Sequence, residues 1–156
     1  MTIKRYHSRG FILLSQLETS SMRYYTPESA VAITLGDALY ITSGTASLAG
    51  DGDWDRTFAG IAGGPLTAAE ATLAVKIGVI PPLPHYQFMV PVEANTVLVA
   101  TTHIGNAYAP QDSYNIDLAD TTETSYLFMI DDIDISADAI AANTYGYAIG
   151  HFTHIT

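Results

Sequence analysis

The chain has no cysteine among its 156 residues. Disulfides, thiolate nucleophiles and Cys-based zinc sites are therefore excluded, and the fold must be held by packing, metals or association. Cations are scarce: six Lys and Arg stand against sixteen Asp and Glu, for a net charge of −10. Binding phosphates requires a positive face, so nucleic acid is not the expected partner. Long apolar runs are also missing. The longest, residues 11–14 and 126–130, fall far short of the roughly 20 residues that span a bilayer. Lys4-Arg5 ahead of residues 11–14 is only a faint echo of a signal peptide, whose apolar region takes about 7–15 residues. No membrane association is expected.

What is present is apolar and finely divided. Hydrophobic residues make up 48% of the chain, enough for the core of one domain. Val31, Ile33 and Leu35 alternate with Ala32 and Thr34, the period of a strand. Gly36-Asp37 signals a turn, Leu39 and Ile41 continue on a second strand, and Ser43-Gly44 turns again. A polar tip, Gly50-Asp-Gly-Asp-Trp-Asp55, precedes a return through Phe58-Ala-Gly-Ile-Ala62. Thr67-Ala-Ala-Glu70 has the form of a capping box, which predicts a short helix over 68–73. Leu73, Val75, Ile77 and Val79 then alternate as a strand. Further strands are predicted at 10–14, 86–92, 96–102, 116–118, 125–130, 133–135 and 145–153, with 104–114 as loop and a helical turn at 138–142. Many short strands with frequent turns predict a mainly β, single compact antiparallel barrel or sandwich with at most one or two short helices.

Charge divides the chain. Up to Pro27, Lys4, Arg5, Arg9 and Arg23 face Glu18 alone, a balance of +3; beyond it Arg56 and Lys76 face fifteen acids, a balance of −13. Residues 1–27 therefore read as an extended basic arm ahead of a β-rich body at 28–156. Such an arm suits an acidic surface, and a solvated tail has the same composition. Its aromatics Tyr6, Phe11, Tyr24 and Tyr25 are costly to leave in water, and another subunit is one place to bury them.

No motif carries catalysis. GxSxG, SxxK, GxGxxG and HExxH are all absent. His151 and His154, three apart on a strand, point to opposite faces. Two acidic rows, Asp51/Asp53/Asp55 and Asp132/Asp134/Ser136/Asp138, resemble the start of a calcium loop. Both lack its glycine at the sixth position and its glutamate at the twelfth, which favours solvated acidic faces. No enzyme activity, cofactor or metal is expected. Trp54 is either folded back onto the body or presented as an interface anchor, since tryptophan is enriched at binding hot spots. As an anchor, it and the 51–55 loop would make a carbohydrate- or ligand-binding module.

The pattern Gly36-Asp37-Ala-Leu-Tyr-Ile-Thr-Ser-Gly44 followed by Phe58-Ala-Gly-Ile-Ala62 resembles the head decoration (cement) proteins of tailed bacteriophages and related viruses. His103-Ile-Gly-Asn-Ala-Tyr108, Tyr114-Asn-Ile-Asp-Leu118, Leu127-Phe-Met-Ile-Asp-Asp-Ile-Asp134 and Gly150-His-Phe152 extend the likeness over 31–152. The Asp-Gly-Asp-Trp-Asp tip and Pro81-Pro82-Leu-Pro84 depart from it. The resemblance implies a β-tulip-type domain without catalytic residues, which forms a homotrimer on the outer capsid surface of the virion. It would bind the major capsid protein where capsomers meet, with an N-terminal arm that adds a strand to the shell. Candidate capsid- or subunit-binding residues are then Arg5, Tyr6, Arg9, Phe11, Tyr24 and Tyr25 on the arm, with Trp54 at the tip.

Overall fold

The structure, a computed structural model, describes residues 6, 7 and 9–155. Eleven strands are described: β1 (Ile12–Leu13), β2 (Arg23–Tyr25), β3 (Ala38–Thr42), β4 (Thr45–Leu48), β5 (Phe58–Ala62), β6 (Ile77–Ile80), β7 (Phe88–Glu93), β8 (Ala107–Asp112), β9 (Asn115–Asp117), β10 (Tyr126–Asp134) and β11 (Tyr147–His154). Short helices α1 (Ala68–Thr72), α2 (Ala100–His103) and α3 (Ala137–Ala142) and a 3-10 turn (Thr19–Ser21) interrupt them. Three α-helices are thus found among the described residues where at most two were expected.

The strands form a six-stranded sheet, β1-β7-β11-β10-β8-β9, and a five-stranded sheet, β2-β6-β5-β3-β4. Nearly every pairing is antiparallel; β9 also meets the end of β7 in parallel. The layout is a sandwich of two sheets rather than a single closed barrel. An aromatic cluster of Phe11, Trp54, Phe58, Phe88, Phe128 and Phe152 fills the space between them. A second apolar cluster joins Leu39, Ile77 and Val79 to Ala71 of α1. A third joins Met89, Tyr147 and Ile149 to Ala139 of α3, with Tyr6 packed against it. This explains why Phe58-Ala-Gly-Ile-Ala62 is buried at every position, since a strand covered on both faces reads as continuously apolar.

Two glycines set the central stretch. Gly36 has φ +90°, and a Cβ there would lie 2.7 Å from the Phe11 carbonyl oxygen. The Gly36-Asp37 turn can therefore run directly beneath the N-terminal segment. Gly60 has φ +127°, and a Cβ would lie 2.0 Å from the Ile80 carbonyl oxygen. It sits beside a register shift between β3 and β5, where only glycine can take both the conformation and the contact.

Several elements differ from expectation. Residues 31–35 form no regular strand; Ile33 makes an isolated bridge to Leu66. The strand expected at 73–79 begins only at Ile77, because Ala74 adopts φ +57° just after α1. The strand expected at 96–102 is a loop entering α2; Leu98 is buried while Val97 and Val99 face out. The expected loop 104–114 contains β8. The strands expected at 125–130 and 133–135 are one strand, β10, with a bulge between Ile130 and Asp132.

Candidate interaction surface

Of the seven predicted interface residues, Arg5 lies outside the described residues. Four of the others turn inward or onto the body. The Tyr6 hydroxyl donates to Asp134 Oδ2 at 2.6 Å, and its ring packs on Tyr147 with centroids 5.2 Å apart. Burial raises the Tyr147 phenol above its ordinary pKa, and the retained proton is donated to the His7 carbonyl at 2.5 Å. Arg9 Nη2 donates to Asp37 Oδ1 at 3.2 Å, with its guanidinium 4.2 Å from the Tyr114 ring centroid. Asp37 is itself buried and also accepts from the Thr34 amide at 2.8 Å and Ser113 Oγ at 3.3 Å. Phe11 is 2% exposed, in the aromatic core. Within residues 9–14, Phe11 is buried in the core and Ile12–Leu13 pair with β7 as an edge strand, near the strand expected at 10–14.

Trp54 is also interior, at 0% exposure, stacked on Phe58 at 5.3 Å and edge-on to Phe152 at 5.1 Å. Its indole N–H meets no acceptor among the described residues. The tip folds back onto the body, so Trp54 presents no anchor in this structure.

Tyr24 and Tyr25 lie on β2, the last strand of the five-stranded sheet. It pairs inward with β6, Tyr24 opposite Gly78 and Tyr25 opposite Ile77. No described strand pairs with its outer side from Arg23 to Tyr25; beyond it, Ala46 N–H donates to the Thr26 carbonyl at 2.8 Å. Tyr24 is 67% exposed. On the opposite face of the strand, Arg23 and Tyr25 line a groove of about 250 Å³ with Phe58, Pro81, Pro82, Leu83 and Tyr126.

Sequence reasoning missed the neighbours that complete this edge. Leu73 and Val75 are exposed just ahead of β6, and Lys76 Nζ donates to Thr26 Oγ1 at 2.6 Å. Their apolar alternation reads as a buried strand. The breaking signal is the end of the five-residue helix α1, which leaves them on a connecting loop. Arg23 and Lys76 bring two of the chain's six Lys and Arg to one edge of an acidic molecule.

The acidic rows do not converge. Asp53 Oδ2 accepts the Gly50 N–H at 3.0 Å, and Asp55 Oδ1 accepts the Thr57 N–H at 2.7 Å and its hydroxyl at 2.6 Å. Asp132 Oδ1 accepts the Ile133 N–H at 2.8 Å, and Asp134 Oδ1 accepts the Ser136 N–H at 3.1 Å. Each closes its own turn, the local use short acidic side chains favour. Among the described residues no three His, Asp or Glu side chains are grouped to hold a metal ion. The histidines are dispersed. His151 Nδ1 lies 2.8 Å from Asp131 Oδ2, and His85 Nε2 lies 3.7 Å from Glu18 Oε1. His103 Nδ1 accepts the Val99 N–H at 2.8 Å, which puts the proton of the neutral ring on Nε2. That ring borders a polar hollow of about 410 Å³ with Glu93, Asn95, Gln111 and Asp117.

No protein-family model matches the chain, and no curated protein matches it.

Proposed function

We propose that this chain is a non-enzymatic structural protein that binds the outer surface of an assembled viral capsid and stabilises the shell. It would act as a homotrimer at the junctions between capsomers, with the major capsid protein as partner. The observation that carries the reading is the outer side of β2, unpaired from Arg23 to Tyr25, which presents exposed Tyr24 on one face and Arg23 and Tyr25 on the other, near Lys76. An open edge offers backbone donors and acceptors to a partner strand, and flanking side chains select it. Shell stabilisation needs preferential binding to the assembled state and no turnover. Three copies on one trimer would bind with avidity. The alternative ligand-binding module built on Trp54 finds no support in a buried indole.

Co-sedimentation of the full chain with assembled shells, beside a light-scattering mass of the free and bound protein, tests the reading. Saturable binding to assembled shells and not to loose shell protein is expected. The double variant Arg23→Glu/Tyr24→Ala should melt like the parent and lose that binding. Retained full occupancy by the folded variant would sink the assignment of this edge, and failure of the parent to bind shells would sink the function.

A further inference from the structure

Backbone hydrogen bonds on both sides of β2 fix which groups its open edge presents. Beyond the strand, the Thr26 carbonyl accepts the Ala46 N–H at 2.8 Å and the Glu28 N–H donates to the Ala46 carbonyl at 2.9 Å. The even-numbered residues of this segment thus point their backbone groups away from β6. On the inner side, the Gly78 carbonyl is taken by the Gly63 N–H at 2.8 Å, toward β5. Gly78 stands opposite Tyr24, so that pair exchanges no bonds. Both observations put the Tyr24 N–H and C=O on the outer side, where no described strand lies. The Tyr24 ring lies back across Gly78, where an added Cβ would stand 3.2 Å from the ring, and leaves the edge clear. The flanking side chains, Arg23 and Tyr25, occupy the other face, in the groove with Pro81, Pro82 and Tyr126. Arg23 is exposed, and no carboxylate pairs with it among the described residues.

We propose that this edge takes three residues of an extended partner segment, antiparallel to β2, in the order apolar, any residue but proline, acidic. The proposal rests on the reading of β2 as a docking edge and names what docks there. The four described pairings of the five-stranded sheet are all antiparallel, which sets the direction. The middle residue stands opposite Tyr24 and exchanges both backbone bonds with it, so it must carry an N–H. Side chains alternate along a strand, so its two neighbours enter the groove. The one before it falls opposite Tyr25, against aromatic and proline surface, and is apolar. The one after it falls opposite Arg23, whose unpaired guanidinium selects a carboxylate. Lys76, held at Thr26 Oγ1, adds a second positive charge at the far end of the edge. The stretch is short because the Thr26 carbonyl is already taken by Ala46.

The probes are the capped peptide Gly-Thr-Phe-Thr-Glu-Thr-Gly and three relatives: Gln in place of Glu, Pro in place of the central Thr, and Phe and Glu exchanged. Amide resonances of the full chain are followed as each is added. The first peptide should bind saturably, at about millimolar strength for so small a contact, with shifts centred on Tyr24 and the groove and slower exchange of the Tyr24 amide. The Pro peptide should not saturate. The Gln and exchanged peptides should bind about two- to five-fold more weakly than the first. Arg23→Gln should melt like the parent and bind the Glu and Gln peptides equally. The proposal is overturned if the first peptide does not saturate at Tyr24, if the Pro or exchanged peptide binds as tightly, or if Arg23→Gln still tells Glu from Gln. Shell binding by a chain that ignores these peptides sinks this recognition pattern alone. Peptide binding without shell binding sinks the capsid reading alone.

Discussion

Phe11 touches the rings of Trp54, Phe88, Phe128 and Phe152, with centroids 5.9, 6.2, 5.6 and 5.3 Å away. Removing it leaves a cavity walled by rings on β7, β10 and β11 and by Trp54, which cannot collapse without moving strands. Phe11→Ala should lower unfolding stability by about 3–5 kcal/mol, read as a shifted urea midpoint at unchanged slope. Tyr24→Ala should change it by no more than about 0.5 kcal/mol, since that side chain stands largely in water. Composition cannot separate the two, because both are aromatics in the same basic segment. Their fates depend on which strands each meets, and those lie far along the chain. The same holds for Trp54: a polar Gly-Asp setting describes its neighbours in sequence, whereas the ring is placed by Phe58 and Phe152. The acidic rows were unreadable for the opposite reason. Asp53, Asp55, Asp132 and Asp134 each accept a backbone N–H within one to three residues, so regular spacing carried no information about convergence.

Among the elements, strands whose alternation is bounded by turn residues were legible. The β3–β4 hairpin around Ser43-Gly44, the Phe58-Ala62 return and strands β7, β10 and β11 stand close to where the pattern puts them. The capping box was legible in atomic detail: Thr67 Oγ1 accepts the Glu70 N–H at 3.1 Å and Glu70 Oε1 accepts the Thr67 N–H at 3.0 Å. Hydrogen bonds from the Thr67 backbone amide, and then from its side chain, hold the Glu70 carboxyl below its ordinary value. Thr67→Ala should cost about 1 kcal/mol in a thermal or urea melt, the usual loss of an N-cap. The Glu70 half of the box is present above the ordinary glutamate pKa and fades as pH falls through its lowered value. Segments where β-branched residues enter a short helix, as Val97 and Val99 do before α2, were not legible. There local hydrogen bonds, including the Val99 amide to His103, outweigh strand propensity.

At the scale of the whole molecule, the described part of the N-terminal segment belongs to both sheets. β1 is the edge of one, β2 the edge of the other, and Phe11 lies between. Deleting residues 1–25 should therefore leave no cooperatively folded body, seen as loss of a sigmoidal melt and of dispersed amide resonances. A truncation of this kind cannot separate binding from folding, whereas point changes on the outer side of β2 can. The charge balance follows the same geometry. Arg9 is tied to the buried carboxyl of Asp37 while its side chain stays part-exposed, so its charge is partly neutralised where it sits.

That placement of Phe11 also orders events in time. Its ring neighbour Phe152 lies on β11, so Phe11 must wait for the last described strand before it is sealed. Contacts that span nearly the whole sequence slow folding, because chain entropy is lost before they form. The last strands complete the core around a residue laid down at the start. A nascent chain stalled before β11 should keep its N-terminal segment unclosed, and emergence of β11, more than any local propensity, should set the moment at which Trp54 leaves water.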